Sequence, residues 1–195
     1  MTTPTLTSRA AREQTVFRTL LNAMARPGSI AHLDIEGVNP LVAIAEALVD
    51  HEVTFAVAPD RQEITEAILR QTGSHAGSVE ASEYVFCDAE ALAQVLQAAT
   101  DGTWEYPDAG ATVVCLVSAI TSSSGLEGEG ALVLSGPGIR NTATIYVEGF
   151  GVEARRAFAE RNASRPLGLD LVMVTAEGTV ACLTRYTMFV SGQEE

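Results

Sequence analysis

The chain has 195 residues, 47% of them hydrophobic and 19% charged, with a formal net charge of −13. A chain of this length buries roughly 70% of the surface it exposes when unfolded, so its core needs no disulfide or metal to hold it. The composition excludes an intrinsically disordered protein, and no apolar run approaches the ~20 residues of a membrane span. The opening MTTPTLTSRAAREQ lacks the apolar stretch behind a basic start that marks a secretory signal, so the cytoplasm is the expected location.

Val16, Phe17, Leu20, Leu21, Ala23 and Met24 recur at helical spacing and predict a first helix over Ser8–Ala25, its apolar stripe directed into the core. Arg26-Pro27-Gly28 ends it, because a residue before proline leaves the helical region and glycine then turns the chain. Ser29–Leu33 reads as a short strand. Pro40–Asp50 reads as a second helix with proline in its first turn. Glu52–Ala58 is rich in β-branched and aromatic residues and reads as a strand. Asp60 is the expected cap of a third helix, Gln62–Thr72, which ends at Gly73. A strand follows at Glu83–Cys87, then a fourth helix, Ala89–Ala99, with Asp88 as its expected cap.

DGTWEYPDAG is a turn-rich loop carrying the single tryptophan, Trp104. Ala111–Ile120 is a long apolar run of the kind found in central strands buried on both faces. A glycine- and serine-rich turn spans Ser122–Gly130. Strands follow at Ala131–Leu134 and Thr142–Val147, a helix at Glu153–Asn162, and strands at Leu169–Thr175 and Val180–Arg185 joined by a hairpin turn at Ala176-Glu177-Gly178. Strand–helix alternation up to residue 120 and a strand-rich second half predict an α/β single-domain layered fold with a mixed β-sheet over residues 1–195.

Charge is unevenly placed. Residues 1–26 hold four arginines against Glu13 alone, whereas residues 27–139 hold seventeen acids against Arg61 and Arg70. An acidic body repels phosphate backbones, so a nucleic-acid partner is not expected. It suits a basic protein partner, or it serves solubility alone. All twelve basic residues are arginine, so the chain has no lysine for a Schiff base and no GKS or GKT phosphate loop. Cys87, Cys115 and Cys182 lie singly in apolar runs and read as buried thiols.

Six stretches in order carry a family resemblance: FRTLLNAMARPG at 17–28, EALVDHEVTFAV at 46–57, GATVVCLV at 110–117, SGPGI at 135–139, PLGLDLV at 166–172 and LTRYTMFV at 183–190. Together they resemble the PhnH family, subunits of the bacterial carbon–phosphorus lyase system that degrades phosphonates. Ala25 departs from the family pattern, where serine is expected in many relatives. The resemblance implies a homodimer and a core assembly with PhnG-, PhnI- and PhnJ-like partners. It implies support for a step in which a phosphonate displaces adenine from the ribose of ATP. It also implies a fold like the large domain of PLP-dependent transferases but without PLP, with the iron–sulfur cluster of C–P cleavage on another subunit. The residues agree on two points: without lysine there is no internal aldimine, and three scattered cysteines cannot supply a four-thiolate cluster. No cofactor and no metal are therefore expected on this chain.

Arg18 and Arg26 are the first candidate site residues, since a guanidinium grips phosphate or carboxylate at two points. Contact with a partner subunit or an anionic ligand stands beside an intrachain pair with one of the many acids. Gly136 and Gly138 could turn backbone N–H groups toward an anion, or simply form a hairpin loop; Gly128 and Gly130 carry a weaker signal. Arg185 and Thr187 could line a cleft beside Asp170, or Arg185 and Asp170 could form a structural ion pair. His32, His51 and His75 sit near element ends and read as loop residues. Ser122–Ser124 lacks the spacing of a nucleophile elbow. Trp104 and Tyr106 are either interface anchors or covers for the core edge. Three functions remain open at this point: a subunit of the phosphonate-ribosylating complex, a free-standing small-molecule enzyme, and an architectural dimer.

Overall fold

A computed structural model describes residues 8–123 and 131–190. The first helix, α1, spans Ser8–Ala25 and gives way to a turn in which Ser29 N–H donates to the Arg26 carbonyl at 3.0 Å. Strand β1 (Ile30–His32) follows directly. Helix α2 (Pro40–Leu48) starts on Asn39, whose side-chain oxygen accepts from the N–H groups of Leu41 and Val42, with Pro40 in the first position, where no N–H is needed. Strand β2 is Thr54–Ala58 and helix α3 is Gln62–Thr72, closed by left-handed Gly73.

Both expected acidic caps differ from the structure. Arg61, not Asp60, occupies the cap position of α3 and makes no side-chain cap bond. Asp88 also makes no cap bond; its carboxylate pairs with Arg61 at 2.9 Å and so ties the end of β4 (Tyr84–Asp88) to the start of α3. The helix after β4 opens as a 3-10 turn, Ala89–Ala91, before α4 proper, Leu92–Ala98. A two-residue edge strand, β3 (His75–Ala76), had no signal in the sequence pattern.

The apolar run from Ala111 is two strands rather than one. β5 (Thr112–Leu116) lies in the large sheet, whereas β6 (Ala119–Thr121) lies in a second, smaller sheet. Between them Val117 N–H donates to the Val174 carbonyl and Ser118 N–H to the Glu148 carbonyl, so the chain changes sheets within two residues. Strands β7 (Leu132–Ser135) and β8 (Ala143–Glu148), helix α5 (Val152–Arg161), and strands β9 (Asp170–Val174), β10 (Thr179–Leu183) and β11 (Met188–Phe189) complete the fold.

The large sheet has the order β1-β10-β9-β5-β4-β2-β3, and the small one the order β11-β7-β8-β6. From β3 to β9 neighbours are parallel; β9–β10, β10–β1 and every pair in the small sheet are antiparallel. The mixed α/β sheet is as expected, but most of the antiparallel strands of the second half form a sheet of their own. Alternate side chains of the large sheet enter two cores. Phe86, Val114, Val172 and Cys182 pack under α1, α2 and α3. Val85, Cys87, Val113, Cys115, Leu171 and Met173 pack under α4, α5 and the small sheet. Phe150, Phe158 and Phe189 meet in that second core with ring centroids 6.0–6.4 Å apart. Among the described residues, no helix is long and apolar enough to cross a membrane.

Candidate functional site

The parallel strands begin on a common row: Tyr84 of β4 is registered with Thr112 of β5, and Thr112 with Asp170 of β9. On the antiparallel side Leu183 faces Leu171, so the segment leaving β10 passes directly over the start of β9 and sets Arg185 against Asp170. Arg185 Nη2 lies 2.7 Å from Asp170 Oδ2 and Nε 3.2 Å from the same oxygen, while the Arg185 backbone N–H donates to Oδ1 at 2.8 Å. The guanidinium also donates to the carbonyls of Pro107, at 2.5 Å, and Gly110, at 3.4 Å. With side-chain exposures of 12% and 17%, the pair is partly desolvated, and two-point charge-assisted bonds are strong in that setting.

The surroundings hold this pair in place. The Asn162 amide, itself buried, accepts from the Leu169 N–H at 2.7 Å and donates to the Leu169 carbonyl at 3.2 Å, fixing the residue before Asp170. A Cβ on Gly110 would run into the Gly168 carbonyl and come within 2.9 Å of Arg185 Nη1, so only glycine lets the 107–110 turn approach the guanidinium. Arg161 reaches the Ala99 carbonyl at 2.6 Å and Asp101 at 3.3 Å, tying α5 to the same loop.

Two clefts open on this row and share Met24 and Thr112. One, of about 570 Å³, is walled by Asp170, Arg185, Thr184, Tyr186 and Asp108. The other, of about 270 Å³, is apolar and is lined by Phe17, Leu21, Leu48 and Tyr84. A larger depression of about 650 Å³ lies beside β1 and the β9–β10 turn; it is lined by Asp34, Glu36 and Glu177 and holds none of the candidate residues.

The predicted residues fall as follows. Asp170 and Arg185 are brought together as an ion pair. Thr187 is buried, its hydroxyl accepting from the Thr184 N–H at 3.0 Å, so it braces the turn. Gly136 and Gly138 lie in the β7–β8 loop, which packs against the turn after α1. A Cβ on Gly138 would strike the Ala25 carbonyl and lie 2.9 Å from Pro27 Cδ, and one on Gly136 would lie 2.7 Å from the Tyr186 carbonyl. Arg18 and Arg26 are exposed and form no ion pair among the described residues. Gly128, Gly130 and Ser124 lie outside the described residues. Trp104 and Tyr106 are 69% and 65% exposed and do not cover the core. His32, His51 and His75 are exposed, and no group of metal-ligating side chains occurs among the described residues.

The α1 stripe divides in a way the periodicity does not show. Val16, Leu20 and Ala23 are buried, but Phe17 and Leu21 are 48% and 58% exposed, correcting the expectation that the whole stripe enters the core. The three thiols are buried. Burial, with the nearby Asp170 charge adding to it, pushes the Cys182 thiol up to about 12. A hydrogen bond with Cys87 and then burial push the Cys115 thiol up as well. A thiol in that state is not a nucleophile at neutral pH.

Tyr84, Pro107 and Gly110 carry no chemical signature of their own and became visible as site residues only through strand register and the reach of Arg185. Four separated sequence stretches, 17–28, 110–117, 135–139 and 166–190, thus meet on one face of an α/β protein. That convergence joins the turn after α1, the β7–β8 loop and the Asp170–Arg185 pair into one site of an α/β protein. The family model for the bacterial phosphonate metabolism protein PhnH matches residues 4–190, and the chain belongs to the PhnH family. It is 35% identical to the putative C-P lyase subunit protein HtxG of Stutzerimonas stutzeri over 179 residues, covering 91% of this chain and 86% of that one. It is 32% identical to the alpha-D-ribose 1-methylphosphonate 5-triphosphate synthase subunit PhnH of Rhizobium meliloti (strain 1021) over 185 residues, covering 89% and 88% of the two chains.

Proposed function

We propose that this chain is the PhnH-type subunit of a cytoplasmic carbon–phosphorus lyase system, working with PhnG-, PhnI- and PhnJ-like partners and forming a homodimer when they are absent. In the supported step a phosphonate oxygen takes the place of adenine at C1′ of the ribose of ATP: the C–N bond breaks, a C–O bond forms, and adenine leaves with a proton. The named relatives, each nearly full-length, support the pathway. We also infer a fold shared with the large domain of PLP-dependent transferases; the lysine-free sequence could not bind PLP there as an internal aldimine.

The observation that carries a supporting rather than a chemical role is the state of the Asp170–Arg185 pair. The guanidinium is spent on one carboxylate and two backbone carbonyls, and Thr187 on Thr184. Groups committed in this way position backbone; they do not transfer protons.

The test is adenine release from ATP and methylphosphonate by the co-expressed subunits of the same bacterium, with and without this chain. Release that needs this chain, together with its co-purification in the assembly, is the expected result. Full release by the remaining subunits, or turnover by this chain alone, would overturn the proposal.

A further inference from the structure

We infer that the exposed half of the α1 stripe is a docking ledge for an acidic, apolar segment of a partner subunit, an inference that rests on the function proposed above. Helix α1 carries four arginines at or near its length, and they are used in two ways. At its N-terminal half Arg9 pairs with Glu13 at 2.6 Å, and Arg12 pairs with the nearly buried Glu46 of α2 at 2.8 Å. Past the middle, Arg18 and Arg26 pair with no acid among the described residues, in a chain with more than twice as many acids as bases. The apolar ledge lies along this same half: Phe17 and Leu21 are about half exposed, and they wall the apolar cleft with Met24 and Tyr84.

Helical geometry sets the two features side by side. Successive residues turn by about 100°, so Arg18 projects about 60° beyond Leu21 and borders the ledge on its solvent side. Arg26 lies one residue beyond the end of α1, in the turn that closes it. The complementary occupant is therefore a segment with bulky apolar side chains facing Phe17 and Leu21, a carboxylate beside them that meets Arg18, and a further acid toward the turn at Arg26. Local charge decides against a second copy of this chain as the occupant: a two-fold contact across α1 would bring Arg18 and Arg26 of the two copies together instead of supplying carboxylates.

The experiment uses the full chain co-expressed with the PhnG-, PhnI- and PhnJ-like proteins of its own bacterium, read by native mass and by hydrogen exchange of residues 14–26. Expected are protection of that segment in the heteromeric assembly, assembly weakened about tenfold or more by Arg18→Glu/Arg26→Glu, and a comparable loss for Phe17→Ser/Leu21→Ser. Thermal melting of each isolated variant checks that its fold is intact; where the serine pair melts early, the charge reversal alone decides. Normal assembly of the charge-reversed variant, with no protection of residues 14–26, overturns the docking ledge while leaving the proposed function standing. Protection of this segment in an isolated homodimer that the charge reversal leaves intact makes a second copy the occupant and also overturns it. Absence of any heteromeric assembly removes both.

Discussion

The side-chain amide of Asn162 and the backbone of Leu169 exchange two hydrogen bonds, at 2.7 and 3.2 Å, in a fully enclosed position at the end of α5. An amide does here what a neighbouring strand does elsewhere: it satisfies a donor and an acceptor before β9 begins its own ladder. The next residue is Asp170, so the clamp also sets the carboxylate that receives Arg185.

Asn162→Ala leaves the Leu169 N–H and carbonyl buried without these partners. A loss of about 2–3 kcal/mol is expected in urea unfolding. Asn162→Asp keeps an acceptor but loses the donor and places a charge in the interior, so it should be no better than alanine. Stability of either variant equal to the parent's would show that Leu169 finds other partners.

The Asp170–Arg185 pair is expected to behave as one unit. Arg185→Ala strands a partly buried carboxylate and frees the Pro107 and Gly110 carbonyls, for a loss of about 2–4 kcal/mol. Arg185→Lys retains the charge but not the planar fork and should recover less than half of that. In a double-mutant cycle, Asp170→Asn combined with Arg185→Ala should cost less than the sum of the single changes. Additive costs would show that the two side chains act separately.

Two glycines with similar backbone angles separate conformational cost from packing. Gly37, with φ of 72°, has open space where a Cβ would sit, whereas Gly138, with φ of 83°, has the Ala25 carbonyl and Pro27 there. Gly37→Ala should cost about 1 kcal/mol, the price of the left-handed conformation alone. Gly138→Ala should cost clearly more and should increase hydrogen exchange at the end of α1. Equal melting points for the two variants would refute the close packing of this loop on α1.

Thiol titration is expected to limit stability on the alkaline side. The ordinary value for the Cys182 thiol is 9.0, and in the folded protein it is pushed up to about 12. The folded state therefore keeps a proton that the unfolded chain releases. Stability is fully present below about pH 9 and is lost progressively as the pH rises from there toward 12, on the order of 1.4 kcal/mol per unit for one thiol. Native alkylation of Cys182 at pH 8 should proceed only as fast as the protein opens. Rapid stoichiometric alkylation without unfolding would contradict the burial.

Periodicity and local chemistry made much of the fold legible. The bounds of α1 and α3 follow from the Arg26-Pro27-Gly28 stop and from Gly73, and the β9–β10 hairpin follows from the short turn at Ala176–Gly178. The run from Ala111 to Ile120 hid its change of sheet because strands in both sheets bury apolar residues, so composition cannot mark the crossing at Val117 and Ser118. Asp60 and Asp88 fit the preference for acidic caps, yet the pull of Arg61 on Asp88 prevailed over a local bond. Arg185 and Asp170 could be named as a pair from residue type, but their acceptors at Pro107 and Gly110 could not, since a carbonyl is common to every residue.

What the amino-acid sequence determined by itself was the α/β class, the family, the buried thiols and the lack of any lysine amine, because these depend on composition, local periodicity and motif order. Only the tertiary structure decided which arginines are occupied and which face outward, and which half of the α1 stripe is buried. A helical stripe is defined by one angle, but its burial depends on how much of that angle the neighbouring elements cover. Here α2 and the sheet cover Val16, Leu20 and Ala23 and leave Phe17 and Leu21 beside Arg18, which has no ion-pair partner among the described residues.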